Sequence, residues 1–204
     1  MRTSRLEAFS DGVLAIIITI MVLELKIPEG HDFAALRHAA GSGLLTYLLS
    51  FVYVGIYWNN HHHMFQLTRQ VTGAVLWANL GLLFFLSLFP FTTAWMDESK
   101  FAHSPVVLYG VNLMLAAIAY YVLQMIIIRG QGSDSPLRRA VGRDVKGKIS
   151  PVLYLTGILC AQLVDPHGHV GVVIAVACYA AGALMWLIPD RRIEHAVREL
   201  GTPD

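Results

Sequence analysis

The strongest constraint on this chain is an apolar run of bilayer length that begins on charged residues. Positions 4–12 read Ser-Arg-Leu-Glu-Ala-Phe-Ser-Asp-Gly and lead without a break into the apolar stretch 13–27. From residue 4 to residue 26 a helix rises roughly 33 Å at about 1.5 Å per residue, enough for a hydrocarbon core of about 30 Å. Ser4 and Glu7 stand as S-x-x-E, a capping box that would start the helix. At about 100° per residue, Phe9, Gly12, Ile16, Thr19, Ile20 and Leu23 share one face, with Arg5 at its N-terminal end. Asp11 points roughly 140° away from Ile16 on the same geometry. An acid inside a membrane helix is costly and marks a functional position by default. The helix therefore carries an aliphatic stripe with one hydroxyl on one face, and Ser10 and Asp11, which need polar partners, on another. Spacing alone fits a packed helix as well as a pore lining.

The rest of the composition agrees with a membrane protein. With 55% hydrophobic and 14% charged residues over 204 positions, the chain is too apolar for a soluble domain of this size. A net charge of +1 implies no nucleic-acid partner. Cys160 and Cys178 lie in apolar stretches and give neither a disulfide framework nor a zinc spacing. A basic start before an apolar run resembles a signal peptide. Asp11 and Glu24 interrupt that pattern and no small-residue cleavage site follows, so the run reads as an uncleaved span.

Six apolar segments can be marked, at about 6–27, 44–61, 71–95, 105–128, 149–164 and 170–188. Ser150-Pro151 reads as an N-cap followed by proline at the first helical position of the fifth. Six spans put both termini on one side. All of the lysines and arginines except Lys26, Arg37 and Lys100 fall on that side, so both termini should be cytoplasmic. Pro90, near the outer end of the third segment, predicts a kink. Ser135-Pro136 could cap a short amphipathic turn in the basic loop 130–148. Trp58, Trp77, Trp95 and Trp186 lie near segment ends, as interfacial tryptophans do.

In the second segment Thr46, Ser50, Tyr53, Tyr57 and Asn60 recur at steps of four and three, a polar seam that needs protein or water beside it. The segment ends in Trp58-Asn59-Asn60-His61-His62-His63 at the depth of Ser10 and Asp11, because the first two spans run antiparallel. These groups are expected to meet, with Asp11 near Asn79, His61 or His62. Asn79 lies at a similar depth on the third segment and reads as a buried interhelical hydrogen-bonder. Three adjacent histidines on a helix point to three faces, so they cannot share one metal ion. No nucleophile elbow, HExxH, P-loop or dinucleotide fingerprint is present, which argues against an enzyme. The Thr-Val-Gly-Tyr-Gly carbonyl filter is also absent, so any conduction must use side chains.

Arg5-x-x-x-Phe9-Ser10-Asp11 at the head of the first span resembles the R-x-x-x-F-S-D signature of the transmembrane protein 175 family, the lysosomal potassium channels and their prokaryotic relatives. The resemblance extends through Val-Leu-Glu-Leu, through Tyr57-Trp58-x-Asn60-His61-His62 in the second span, and to Asn79 in the third. It implies a homotetramer whose first spans line a central potassium-permeable pore. It implies a packing network of Arg5, Phe9, Ser10 and Asp11 with Trp58, Asn60, His61, His62 and Asn79. It places the constriction at Ile16, Ile20 and Leu23 and the selectivity-aiding hydroxyl at Thr19, while Ala15 stands where some relatives carry a second hydroxyl. Periodicity alone had already put these pore positions on one face.

The sequence is therefore read as an all-α, six-span transmembrane helix bundle forming one membrane domain over 1–204. It is expected to be a multi-pass protein of the cell membrane. The expected function is a potassium-preferring cation channel with aliphatic gating rings. No cofactor and no metal beyond permeating potassium is expected, and the partners are further copies of the chain and the lipid bilayer. One face of one helix cannot enclose a pore, so the reading requires oligomerisation. The alternatives are a proton-coupled secondary transporter using Asp11, which would show inverted repeats or broken helices, and a non-conducting membrane scaffold or enzyme.

Overall fold

Short polar residues set four of the helix starts. The Asp32 carboxylate accepts from the Ala35 amide at 2.7 Å and opens the longest helix, and Thr72 Oγ1 accepts from the Val75 amide at 3.3 Å to open the next. Ser135 and Asp144 cap two further helices in the same way, through the Arg138 and Gly147 amides. The computed structural model describes residues 3–142, 144–165 and 168–187. Among them are eight helices and no strand: α1 Thr3–Leu23, α2 Phe33–Gln66, α3 Gly73–Ser87, α4 Phe89–Glu98, α5 His103–Gln131, α6 Pro136–Val141, α7 Val145–Leu163 and α8 Val170–Leu187.

Helix α3 gives way to α4 at Leu88, with Pro90 in the first turn of α4. Proline has no amide hydrogen, so the ladder must be interrupted there. Leu88 sits at the junction: its amide donates back to the Phe85 carbonyl at 3.2 Å, and its carbonyl accepts both the amide and the hydroxyl of Thr92, each at 3.0 Å. Together α3 and α4 make one apolar traverse, 73–98. Among the described residues five stretches are long and apolar enough to cross a membrane: Thr3–Leu23, Gly41–Gln66, Gly73–Glu98, His103–Gln131 and Val170–Leu187. The expected fifth span, 149–164, is helical as α7 but is not one of these five. It begins earlier than expected, at the Asp144 cap, so its first turn carries Lys146 and Lys148 and shortens its apolar run. Ser150 is therefore not a cap. Its hydroxyl bonds the Lys146 carbonyl at 2.8 Å, and Pro151 lies inside the helix.

Two other expected boundaries move. The second helix starts at Phe33 rather than 44, because Asp32 caps a turn that hydropathy does not register. The first helix already includes Ser4, so the capping box does not form, and Glu7 is used elsewhere. The last described helix ends at Leu187, and the basic tail that helped to fix the orientation, Arg191, Arg192 and Arg198, lies outside the described residues, as do Arg2 and His167.

The core is a stack of buried aromatic rings where α2, α4, α5, α7 and α8 converge. Tyr53, Phe89, Tyr109, Tyr154 and Tyr179 are all buried, and adjacent rings stand 5.9 to 6.3 Å apart in tilted or edge contacts. Their hydroxyls find partners inside the bundle. Tyr53 donates to the Tyr179 carbonyl at 2.6 Å and Tyr179 to the Val106 carbonyl at 3.3 Å. Ser50 links Tyr109, at 3.0 Å, to Thr93, at 2.7 Å. The polar seam of the second helix thus faces protein. Tyr179 fits because α5 and α7 present glycines to it. A Cβ at Gly110 would overlap the Tyr179 hydroxyl and lie 2.9 Å from Ile158 Cγ1. Since that hydroxyl is bonded and buried, Gly110→Ala is expected to cost about 1–3 kcal/mol through overpacking. A lowered melting temperature of the purified protein checks this, and an unchanged one would mean that the ring can step aside.

Candidate functional site

Helix α1 has one buried and one open face. Leu6, Ser10, Leu14, Ile17 and Met21 are buried at steps of four and three against α2, α3 and α4. Within the single chain Phe9, Ile16, Ile20 and Leu23 are 52%, 58%, 42% and 80% exposed, and Arg5, Gly12 and Thr19 are exposed with them. The stripe expected from periodicity is thus the one that the other described residues leave uncovered. Arg5 makes no hydrogen bond or ion pair with the described residues.

Thr19 is the hydroxyl on that face. It donates to the Ile16 carbonyl of its own helix at 2.8 Å. With its one proton committed inward, the oxygen keeps its lone pairs for a donor or a cation outside.

The N-terminal third of α1 is tied down by polar groups of α2 and α3. Asn79, fully buried on α3, is the centre. Its amide nitrogen donates to Ser10 Oγ at 3.0 Å, and Ser10 in turn donates to the Leu6 carbonyl at 2.9 Å. Its amide oxygen pairs with His61 Nε2 at 2.8 Å, and since that oxygen can only accept, the ring nitrogen is the donor. His61 is buried and stacks on Phe65 with centroids 4.5 Å apart, and its other ring nitrogen has no partner among the described residues. One interhelical amide therefore joins three helices.

The acids of α1 take other partners. Asp11 Oδ1 accepts from the Trp58 indole at 3.0 Å, not from Asn79, His61 or His62. Glu7, one turn earlier, meets His62 Nδ1 at 2.5 Å, and His62 Nε2 lies 2.8 Å from Gln66 Nε2. The Gln66 amide can only donate there, which places the ring proton on Nδ1. Trp58 and His62 stack with an interplanar angle of 17°. One turn forward on α1 matches one turn back on α2, as antiparallel helices require. Asn60 turns inward on its own helix, with Nδ2 on the Ile56 carbonyl at 2.8 Å, while its own carbonyl accepts from Tyr120 at 3.3 Å. His63 lies at the edge of the cluster, its Nδ1 3.3 Å from Gln66 Oε1.

Glu7 and Gln66 are the two members that sequence reasoning missed. The signal for Glu7 was its i, i+4 spacing from Asp11, which puts both acids toward the same neighbour. The arrangement anchors a helix and leaves its opposite face free.

Comparison with known proteins gives concordant matches. Residues 5–90 match the model of the family described as the endosomal/lysosomal potassium channel TMEM175. A potassium channel of Chryseobacterium sp. (strain P1-3) is 51% identical over 199 residues, covering 98% of this chain and 100% of that protein. The human endosomal/lysosomal proton channel TMEM175 is 35% identical over 112 residues, half of this chain and 22% of that one. The crystal structure of a lysosomal potassium-selective channel TMEM175 homolog from Chamaesiphon minutus superposes with a TM-score of 0.75 at 27% identity, covering 92% of this chain and 97% of that one.

Proposed function

Because the chain belongs to the TMEM175 family of ion channels, which are not enzymes, we propose that it is a potassium-preferring cation channel built as a homotetramer, with α1 of each subunit innermost. The observation that carries the proposal is the open face of α1. It joins large aliphatic side chains to one outward-facing hydroxyl and a glycine, while the opposite face is buried and hydrogen-bonded. Four such faces around an axis would place Ile16, Ile20 and Leu23 as constriction rings and Thr19 between the first two. The rings would gate by narrowing and dewetting.

In this reading α7 completes six spans and both termini are cytoplasmic, on the side favoured by the basic residues of the chain. The Asn79 centre and the Asp11–Trp58 and Glu7–His62 pairs hold α1 at the angle that lets its open face reach the axis. Arg5 lies on that same face and would meet a neighbouring subunit. Asp11 is turned toward Trp58 rather than toward the open face, which favours anchoring over proton-coupled transport.

The test combines assembly and access. Ile16→Cys, in a background with Cys160 and Cys178 replaced by serine, should cross-link up to tetramers and lose current on exposure to a water-soluble thiol reagent. Cross-linking that stops at dimers, or an Ile16→Cys reached only by lipid-soluble reagents, would reject the pore assignment. Potassium current from the purified protein in a planar bilayer tests conduction itself.

A further inference from the structure

The basic loop between α5 and α7 is fastened to the bundle rather than draped over it. Gln131, the last residue of α5, donates from Nε2 to the Leu67 carbonyl at the end of α2 at 2.6 Å and accepts the Ser135 hydroxyl at 2.5 Å. Ser135 is fully buried and in turn accepts from the Arg138 amide, which starts α6. Helix α6 buries Pro136, Leu137 and Ala140 and leaves Arg138 and Arg139 exposed. This staple sets Arg69, two residues beyond Leu67, beside the loop. The Asp134 carboxylate lies 4.0 Å from Arg69 Nη2 and 3.5 Å from Arg139 Nη2.

One carboxylate thus gathers two guanidiniums from distant parts of the chain, and both arginine side chains stay exposed, at 57% and 68%. Ion pairs this exposed add little to stability, so the fold alone gives no reason to bring two like charges together. A guanidinium has five N–H donors, and a shared carboxylate leaves most of them open. The side chains of Arg129 and Arg138 make no hydrogen bond or ion pair with the described residues. Across this patch four arginines stand against one aspartate, a net charge of +3.

The patch lies at the level of lipid headgroups, because the apolar stretches Gly41–Gln66 and His103–Gln131 end immediately before it. On its other side α7 begins with Val145, Ile149 and Val152, all exposed and set at steps of four and three. Such a stripe suits acyl chains. Basic residues clustered at the ends of spans attract anionic lipid, and the planar fork of arginine matches two oxygens of a phosphate.

We propose that Arg69, Arg138 and Arg139 bind the phosphodiester of an anionic phospholipid, with Asp134 holding two of the guanidiniums together and the acyl chains lying against the exposed stripe of α7. Placing that lipid in the cytoplasmic leaflet rests on the orientation proposed above, whereas the binding does not.

Native mass spectrometry of the full channel, extracted from vesicles of equal phosphatidylethanolamine and phosphatidylglycerol, reads binding without reference to conduction or sidedness. Phosphatidylglycerol should be retained in preference to phosphatidylethanolamine. A basic residue near an anionic surface is worth about fivefold, so Arg69→Gln with Arg139→Gln should lower phosphatidylglycerol retention roughly twenty-five-fold. Arg138→Gln, which disturbs neither Asp134 nor the staple, should lower it about fivefold on the same scale. Lys26→Gln with Lys100→Gln removes two charges at the opposite end of the bundle and should leave retention at the parent's level. Equal retention of the two lipids, an equal loss in the lysine variant, or unchanged retention in both arginine variants would overturn the proposal.

Discussion

Asn79→Leu is expected to destabilise the protein more than any other single change in the polar cluster. The substitution nearly keeps side-chain volume but removes both amide functions at a fully buried position. His61 then loses the acceptor for its Nε2 proton, and its Nδ1 is already unpartnered, so a buried ring would keep no hydrogen bond. Ser10 loses a donor but still gives its proton to the Leu6 carbonyl, a smaller loss. Stranding a buried polar group costs about 1–3 kcal/mol, so the two losses together come to roughly 2–4 kcal/mol. For a chain of this size that is a fall in melting temperature on the order of 5–15 °C. Asp11→Asn should cost much less, because the Trp58 indole it accepts from is exposed and water can replace it. The mechanism itself can be tested with Asn79→Leu combined with His61→Phe. Replacing both partners by apolar groups removes the stranded donor, so the double variant should be more stable than Asn79→Leu alone. If Asn79→Leu melts with the parent, or the double variant adds the two losses, the cluster is not what fixes α1.

The two-faced nature of α1 was legible because a period of 3.6 residues needs only local sequence, and the buried stripe through Leu6, Ser10, Leu14, Ile17 and Met21 is the complement of the open one. The break at Pro90 and the cap at Ser135 were legible for the same reason, since each follows from one residue's own chemistry. Depth was legible too: Ser10, Asp11, His61 and Asn79 do gather at one level, as antiparallel spans must bring them. Pairing within that level was not. Ser10 and Asp11 stand about 100° apart on the helix, so which of them meets Asn79 depends on how α1 is rotated against its neighbours, a property of the whole packing. The place of Trp58 near a segment end suggested only the membrane interface; it was the family resemblance that put it in the network with Asp11, whose partner it is. Ser4 with Glu7, and Ser150 with Pro151, were sound cap patterns that lost to longer helices, because continuing a helix against a packed neighbour outweighs a local stop signal.

Gate and filter should separate by mutation on the open face of α1. Ile16, Ile20 and Leu23 follow at i, i+4 and i+7, so in a tetramer their rings stack about 6 Å and 4.5 Å apart along the axis. An aliphatic ring has no oxygen to replace an ion's water, so it can block passage but cannot prefer potassium to sodium by coordination. Thr19 has that oxygen, and its proton is held by the Ile16 carbonyl, so its lone pairs are free for a cation. Ile16→Ala and Leu23→Ala are therefore expected to raise single-channel conductance several-fold while leaving the potassium–sodium reversal potential near the parent's. Thr19→Val keeps the volume and discards the oxygen. Each hydroxyl contact is worth about 0.5–1.5 kcal/mol, so four lost together should lower the permeability ratio on the order of tenfold or more. Its conductance should change little, because the rings above and below are intact. Reversal potentials under bi-ionic potassium and sodium measure both variants on one scale. A reversal potential that holds in Thr19→Val but collapses in Ile16→Ala would put selectivity in the width of the aliphatic ring, with the hydroxyl reduced to a helix-internal bond.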